Sequence, residues 1–393
     1  MFIDLVREAQ IEGGSESPIP PLSYRDSEIS CIETQVTKIR AEEGRLVSIV
    51  LSDDQWKQTH VVKASSRRAV YDGIILYEPG WILIIENKPR SESIWPEQLN
   101  PSLAQDSQIE IDPVLVNLSW RSVIEHLSSL AERNLVVGAE KLILDDFFDF
   151  VDKHFTYLNP YDRFSKCKNE GYLLAKRCVQ IMENLRLGEV KKHRGWKEHI
   201  QVDLPTVKMI ALSPIMDGDV WRIVLEMYPG DTTVQARNFY SKLDINSFLA
   251  LQEKGWTLAP NMHFSLITKI LYHVQRSPIL LPEYLKYWMS GDRPIQKVWR
   301  DTLGFEALFD SFLNEHIISE QDLHELDQCF TSYPRRDHIN LCPGVAVRYG
   351  WDSVQACYLD DTGHFLDEVK EKIREALVTW GEDLVDREKE PDM

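Results

Sequence analysis

The sequence predicts an α/β protein built from two consecutive domains. In the first half, short apolar runs typical of strands are followed by segments in which apolar residues recur with a helical period. A polar, basic stretch over residues 188–197 interrupts this order, and strand-like runs begin again at 207–212 and 221–227. The chain has 393 residues, of which 43% are apolar, so it is long enough to bury two cores.

Turn-forming residues suggest where the domains begin and end. Residues 1–22 start with a short helical pattern and then contain Gly13-Gly14 and Pro20-Pro21, which break regular structure. The ordered core is therefore expected to begin near Ser23. We expect residues 23–190 to form the first domain with a helical extension, and residues 196–393 to form a second α/β domain.

Each element of the first domain follows from a local pattern. Apolar residues spaced by three to four positions predict a helix over 27–39. Ser119 is placed to cap a helix that ends near Leu130. Strands are predicted at 46–51, 71–76, 81–85 and 114–118, and further helices at 142–155 and 172–185. This order favours a mixed sheet with helices packed around it, and the second domain adds a strand at 345–349 and a helix at 366–380.

Composition excludes several classes of protein. With 44 basic and 62 acidic residues the net charge is −18, so a surface-wide nucleic-acid binder is disfavoured and any contact with DNA must be local. The six cysteines lack paired metal-site spacing and are expected to be reduced. We expect a cytoplasmic protein without a membrane segment, because no apolar run is long enough to span a bilayer and the N-terminus lacks a secretory pattern.

The stretch from Tyr71 to Lys88 reads as a β-hairpin whose register decides its chemistry. Two apolar strands flank Pro79-Gly80, a pair typical of a tight turn. A two-residue loop would place Asp72 opposite Asn87. A three-residue loop, Glu78-Pro79-Gly80 with Gly80 in the left-handed conformation, would place Asp72 opposite Glu86, with Lys88 on the same face and the two carboxylate-bearing Cβ atoms ~5 Å apart.

In the second register two like charges face each other at the end of an apolar strand. Such a pair destabilises a sheet unless a cation neutralises it. Two carboxylates are suitable ligands for Mg²⁺, at oxygen distances of ~2.1 Å, and leave positions for water and a phosphate oxygen. A neighbouring ammonium group can hold or deprotonate the attacking water, so this arrangement suits phosphodiester hydrolysis.

These residues resemble the PD-(D/E)xK nuclease superfamily, in which an Asp on one strand of a hairpin is followed by Glu-x-Lys at the end of the next. The resemblance covers residues 25–155 and implies a restriction-endonuclease-like core, with Asp72 and Glu86 as ligands of Mg²⁺ or Mn²⁺. It implies that the Asn87 carbonyl assists them and that Lys88 orients or activates water. Tyr71 stands where the motif is named for Pro.

The same resemblance implies further positions. Glu33, with Glu28 in reserve, is the candidate for a glutamate on a helix before the first core strand, and Gln98 is the candidate for a glutamine after the lysine. The segment ending in Ser119-Trp120 is similar to the strand and helix start of bacterial members that accompany restriction or anti-phage systems. For Glu33 and Gln98, ordinary exposed positions remain the favoured alternative.

Local basic residues are the candidates for contact with DNA. They are Arg67 and Arg68 before the catalytic strand, and a basic run with an interleaved aromatic side chain, Lys191, Lys192, Arg194, Trp196 and Lys197. A solvated linker is an equally good interpretation of the second group.

The sequence thus predicts a metal-dependent DNA nuclease of a bacterial defence or restriction system, acting with protein partner subunits. The alternative is a catalytically silent nuclease-fold scaffold that binds partners through its acidic surface. The motif also has a simpler interpretation without catalysis. Glu86-x-Lys88 would then be a solvent-exposed ion pair, and Asp72 a turn residue.

Overall fold

The computed structural model describes residues 2–21, 28–53, 70–88, 101, 103, 107–192, 197–218, 220–266, 269–274, 277–290, 302–331 and 340–384. The chain forms two compact units, Met1–Asp162 and Arg163–Met393. It is an α/β protein in which the first unit contains a mixed sheet with helices, as predicted.

The first unit is built on a six-stranded sheet with the order β1-β3-β4-β2-β5, in which β6 also pairs with β2. Strands β1, β3 and β4 are antiparallel, whereas β2 is parallel to β4, β5 and β6. The strands are β1 (Glu28–Val36), β2 (Glu43–Ser52), β3 (Tyr71–Glu78), β4 (Trp81–Asn87), β5 (Gln108–Ile111) and β6 (Val116–Ser119). The helices are α1 (Phe2–Glu12), α2 (Trp120–Glu132) and α3 (Gly138–His154), with a 3₁₀ turn at Thr156–Leu158.

The hairpin adopts the register of the three-residue loop. Tyr77 pairs with Trp81, so residues 78–80 form the loop, and Gly80 has a left-handed φ of 77°. Further along the hairpin Gly73 pairs with Ile85, and the next step brings Asp72 beside Glu86. The prediction made from the position of Gly80 is therefore confirmed.

The helix predicted over residues 27–39 is wrong, because this segment forms strand β1 along β3. The apolar spacing did not mark a buried helix face, since Ile29 and Ile32 are exposed in the structure. Isoleucine, threonine and valine in this segment favour extended backbone, and pairing with β3 satisfies the backbone hydrogen bonds of the strand.

The N-terminal segment belongs to the core of the first unit, so the expected start of the ordered core near Ser23 is also wrong. Ile3 and Val6 of α1 are buried with strand residues in one hydrophobic cluster. Also on α1, Gln10 Nε2 donates to Oδ2 of Asp112 at 2.8 Å, and the buried Asp112 also contacts Arg45 of β2 at 3.4 Å. These contacts fasten the segment to the sheet.

The second unit contains a seven-stranded antiparallel sheet with the order β12-β11-β13-β10-β9-β8-β7. Its strands are β7 (Glu189–Lys192), β8 (Glu198–Gln201), β9 (Met209–Asp217), β10 (Val220–Met227), β11 (Thr257–Leu266), β12 (Lys269–His273) and β13 (Asn340–Asp352). Its helices are α4 (Gly171–Leu185), α5 (Thr233–Lys242), α6 (Ile245–Leu249), α7 (Leu281–Met289), α8 (Thr302–Asn314), α9 (Glu320–Thr331), α10 (Ser353–Asp361) and α11 (Phe365–Val378). Short 3₁₀ turns lie at Phe164–Lys166 and Ala250–Lys254.

The two units divide at residue 162, earlier than the polar stretch over 188–197 suggested. Residues of α4, including Leu174 and Cys178, are buried and pack near β9 of the second unit. The polar residues after this helix form β7, an edge strand that pairs only with β8 among the described strands. Their polarity reflects the exposed edge of a sheet and does not mark a linker.

Within the ranges that the structure describes, no helix combines the length and apolar character needed to cross a membrane.

Candidate active site

Two strand ends of the first sheet bring the predicted catalytic residues together. Asp72 lies near the start of β3, Glu86 and Asn87 end β4, and Lys88 follows directly. Because β3 and β4 are antiparallel, the start of one strand meets the end of the other, and Asp72 and Glu86 become neighbours. The sequence motif is therefore one local cluster in the fold.

The carboxylate of Asp72 is held between the two adjacent strands. The backbone N–H of Asn87 donates to its Oδ2 at 2.9 Å, and Gln35 Nε2 of β1 donates to its Oδ1 at 3.1 Å. Gln35 has a left-handed φ of 54°, which is uncommon for a residue with a side chain and costs about 1 kcal/mol. Both oxygens of Asp72 thus have fixed orientations.

Glu86 is 1% exposed, and its charge is offset by a neighbouring cation. Lys88 Nζ lies 3.6 Å from Glu86 Oε2, while the backbone N–H of Lys88 donates to the carbonyl of Leu51 on β2 at 2.8 Å. The backbone bond fixes the chain just beyond β4, and the ammonium group of Lys88 lies beside the carboxylate of Glu86.

The pKa of Tyr71 is affected by the negative charge of this cluster. Its side chain is buried, and burial together with the negative charge of Glu86 raises the pKa of the hydroxyl to about 12. The hydroxyl therefore stays neutral well above pH 7 and adds no negative charge beside Glu86.

A tryptophan ties the site to helix α2. Trp120 Nε1 donates to Oδ1 of Asn87 at 3.0 Å. The preceding residue, Ser119, is the N-cap of α2, and its Oγ accepts from the backbone N–H of Ser122 at 3.0 Å, as the sequence predicted. The start of α2 and the end of β4 are therefore locked together.

The other residues carried over from the resemblance have different positions. Glu33 lies on strand β1 instead of a helix, where it pairs with Ile74 and forms an ion pair with Arg40 at 3.5 Å. Glu28 is on the same strand, opposite Glu78. Gln98 lies outside the described residues.

The candidate DNA contacts are only partly described. Arg67, Arg68, Arg194 and Trp196 lie outside the described residues. In the second unit Lys191 Nζ is 3.0 Å from Glu189, and Lys192 Nζ is 3.2 Å from Glu198. Lys197 bonds to Ser213 and to the buried Glu226. Each of these three lysines already lies against a carboxylate, which weakens its attraction for phosphate.

Sequence reasoning missed residues that orient the site or lie close to its charges. Gln35 was hidden because its segment was interpreted as a helix, and Tyr71 was considered only as a departure from the motif. Trp120 was noticed as part of a helix start, but its contact with Asn87 joins positions 33 residues apart. A sequence gives no local signal for such a contact.

Among the residues that the structure describes, no group of three or more His, Cys, Asp or Glu side chains is arranged to hold a metal ion. Asp72 and Glu86 form a pair, so any metal would also need backbone, water or substrate oxygens. Comparison of the chain with protein-family models, with curated proteins and with solved structures finds no match.

Proposed function

We propose that the chain is a divalent-metal-dependent deoxyribonuclease whose active site comprises Asp72, Glu86 and Lys88. The observation that supports this most directly is the placement of two carboxylates on adjacent strands, with an ammonium group 3.6 Å from one of them. The resemblance of this motif to PD-(D/E)xK nucleases supports the same assignment.

The donor set fits Mg²⁺ or Mn²⁺. Both ions prefer carboxylate and carbonyl oxygens, and Mg²⁺ commonly uses one or two carboxylates while it retains several waters. Asp72, Glu86 and the carbonyl of Asn87 would hold the ion, and its charge would offset the cost of burying Glu86. When bound, the ion supplies Lewis-acid stabilisation of phosphate and lowers the pKa of coordinated water.

The protein groups have separate roles in this proposal. Gln35 and the N–H of Asn87 orient the Asp72 carboxylate. Lys88, as an ammonium group beside Glu86, can donate hydrogen bonds to the attacking water or to a phosphate oxygen. Hydrolysis joins the water oxygen to phosphorus and breaks the bond from phosphorus to the leaving oxygen; the water gives up one proton and the leaving oxygen takes one up.

The test is cleavage of plasmid and linear DNA, and of RNA in parallel, by the purified full chain with Mg²⁺ or Mn²⁺. Asp72→Asn, Glu86→Gln and Lys88→Met should each lower the rate by about a hundredfold or more without unfolding the protein. EDTA should stop the reaction. Glu78→Gln, in the exposed hairpin loop, is the matched control and should cleave like the wild type. Undiminished cleavage in all three site variants would refute the assignment.

A catalytically silent scaffold is the second candidate, and one observation favours it. Asp72 already accepts two hydrogen bonds from the protein and Glu86 already has Lys88 beside it, so the cluster is compensated without a metal. Calorimetric titration with Mn²⁺ separates the two functions. A nuclease should bind the ion in a manner that Asp72→Asn abolishes, whereas a scaffold should give no such signal.

The biological setting proposed is bacterial restriction or anti-phage defence, with protein partner subunits. The support is the resemblance of the segment ending at Ser119-Trp120 to members that accompany such systems. Bacteria that carry the gene and its neighbouring genes should reduce phage plaque counts, and the Asp72→Asn gene should not. Equal protection by both genes would show that defence does not depend on this site.

A further inference from the structure

Helix α3 of the first unit and the turn that follows it carry a set of exposed apolar side chains that the nuclease proposal does not use. Ile143, Phe150, Phe155 and Tyr157, here called the aromatic stripe, are between 37% and 70% exposed. Leu142 beside them is also exposed. The opposite side of α3 is buried through Leu144, Phe148 and Val151, so the stripe is a second apolar surface of the same helix.

The rings of the stripe contact one another, and Ile143 lies on the same helix face as the first of them. Residues 143 and 150 are seven positions apart and share one helix face. The Phe150 ring lies 5.6 Å from that of Phe155, which in turn lies 6.3 Å from that of Tyr157. Tyr157 then donates to Oδ2 of Asp53 at 3.1 Å, and Asp53 follows the C-terminal end of β2, where the backbone N–H of Lys88 donates to the carbonyl of Leu51. The surface therefore runs from α3 to the side of the candidate active site.

Charge determines what this surface can bind. Helix α3 contains five carboxylates, two lysines and His154, whose ring lies 5.0 Å from that of Phe150, and Asp145, Asp146 and Asp149 are exposed. Asp146 lies three residues after Ile143 and four before Phe150, so its carboxylate lies next to the stripe. A nucleic acid that stacked bases on the aromatic rings would bring its phosphates to these carboxylates, which repel them.

A second copy of the chain is disfavoured for the same reason. A two-fold symmetric contact would place the acidic rim of one α3 against the same rim of the other. A segment with apolar side chains and flanking lysine or arginine residues satisfies both the rings and the carboxylates. We propose that the aromatic stripe is a docking site for a basic amphipathic helix of a partner protein, which would lie beside the candidate active site.

The test uses the full chain and a fluorescent helical peptide of about 18 residues, similar in length to α3, with one leucine face and one lysine face. Its affinity for the wild type should fall about tenfold or more in an Ile143→Ser/Phe150→Ser variant, because two central anchors are lost. The matched control is Val354→Ser/Tyr358→Ser, which removes two equally exposed apolar side chains from α10 in the other unit. It should bind like the wild type.

Two further peptides separate docking from general attraction to an acidic protein. A leucine and glutamate peptide should not bind, and a serine and lysine peptide should bind only at low salt and equally to all three proteins. Equal affinity of the leucine and lysine peptide for the wild type and the Ile143/Phe150 variant would overturn the proposal. Two other results would also overturn it: binding of oligothymidine by the wild type that the Ile143/Phe150 variant loses, or a dimer of the wild type in light scattering that this variant does not form. The first result would assign the stripe to nucleic acid and the second to self-association.

Discussion

The backbone N–H of Asn87 lies 2.9 Å from Oδ2 of Asp72, so the last residue of β4 orients the carboxylate on β3. The side chain of Asn87 is in turn held by Trp120 Nε1 at 3.0 Å. Asn87 therefore connects the hairpin to the first turn of helix α2, and the geometry of the proposed metal site depends on Trp120, which is not among the proposed ligands.

We predict that Trp120→Phe weakens metal binding by about tenfold, because it frees Asn87 while it retains most of the aromatic surface. Calorimetric titration with Mn²⁺ measures this change directly. The matched control is Trp256→Phe, which removes an equivalent bond from an indole N–H to Glu375 at 3.0 Å in the second unit. If both variants bind Mn²⁺ like the wild type, Trp120 has no positioning role.

Gln35 provides a prediction in which the affinity for metal falls while the stability of the fold stays nearly unchanged. Gln35→Gly removes the hydrogen bond to Asp72 but also removes the strain of a left-handed side-chain residue, and each effect is about 1 kcal/mol. The thermal midpoint should therefore stay within a few degrees of the wild type, whereas Mn²⁺ affinity should fall. Asn134→Gly, at another left-handed position with φ 53°, is the control and should leave affinity unchanged. Unaltered affinity in Gln35→Gly would contradict the assigned role.

The parts of the site that the sequence predicted depend on local information. Gly80 specifies the turn, the turn specifies the register, and the register brings Asp72 beside Glu86. Strand β1 was mistaken for a helix because its identity depends on pairing with β3, about 40 residues away, and its own apolar side chains are exposed. The roles of Gln35 and Trp120 depend on these distant pairings and could not be read from a motif.

The N-terminal segment offers a test of a second mistaken expectation. Asp112 is buried, accepts from Gln10 at 2.8 Å and from the backbone N–H of Val114 at 2.9 Å, and lies 3.4 Å from Arg45. Asp112→Ala should lower the free energy of unfolding by about 2 to 4 kcal/mol, because it leaves the guanidinium group without its buried partner. Denaturant unfolding measures the loss.

Hydrogen exchange shows which part of the protein is destabilised by Asp112→Ala. In Asp112→Ala the amides of α1 should exchange faster, because the helix loses its attachment through Gln10. Asp146→Ala, which removes an exposed carboxylate from α3, should change stability by less than about 0.5 kcal/mol and serves as the control. Unchanged protection of α1 would show that apolar contacts alone hold the segment in place.

A buried histidine predicts how the stability of the second unit depends on pH. Burial lowers the pKa of His263 from 6.5 to about 4, even though the carboxylate of Asp231 lies 3.7 Å away. Between these two values the unfolded chain binds more protons than the folded chain, so the free energy of unfolding rises with pH. This contribution is fully present above about pH 6.5, and about 3 kcal/mol of it is lost as the pH falls to about 4.

The His263→Gln variant tests this prediction. Its free energy of unfolding should fall less between pH 6.5 and pH 4 than that of the wild type, by most of about 3 kcal/mol. Denaturant unfolding at a series of pH values measures the difference. Parallel pH curves for the two proteins would show that His263 is not the group responsible.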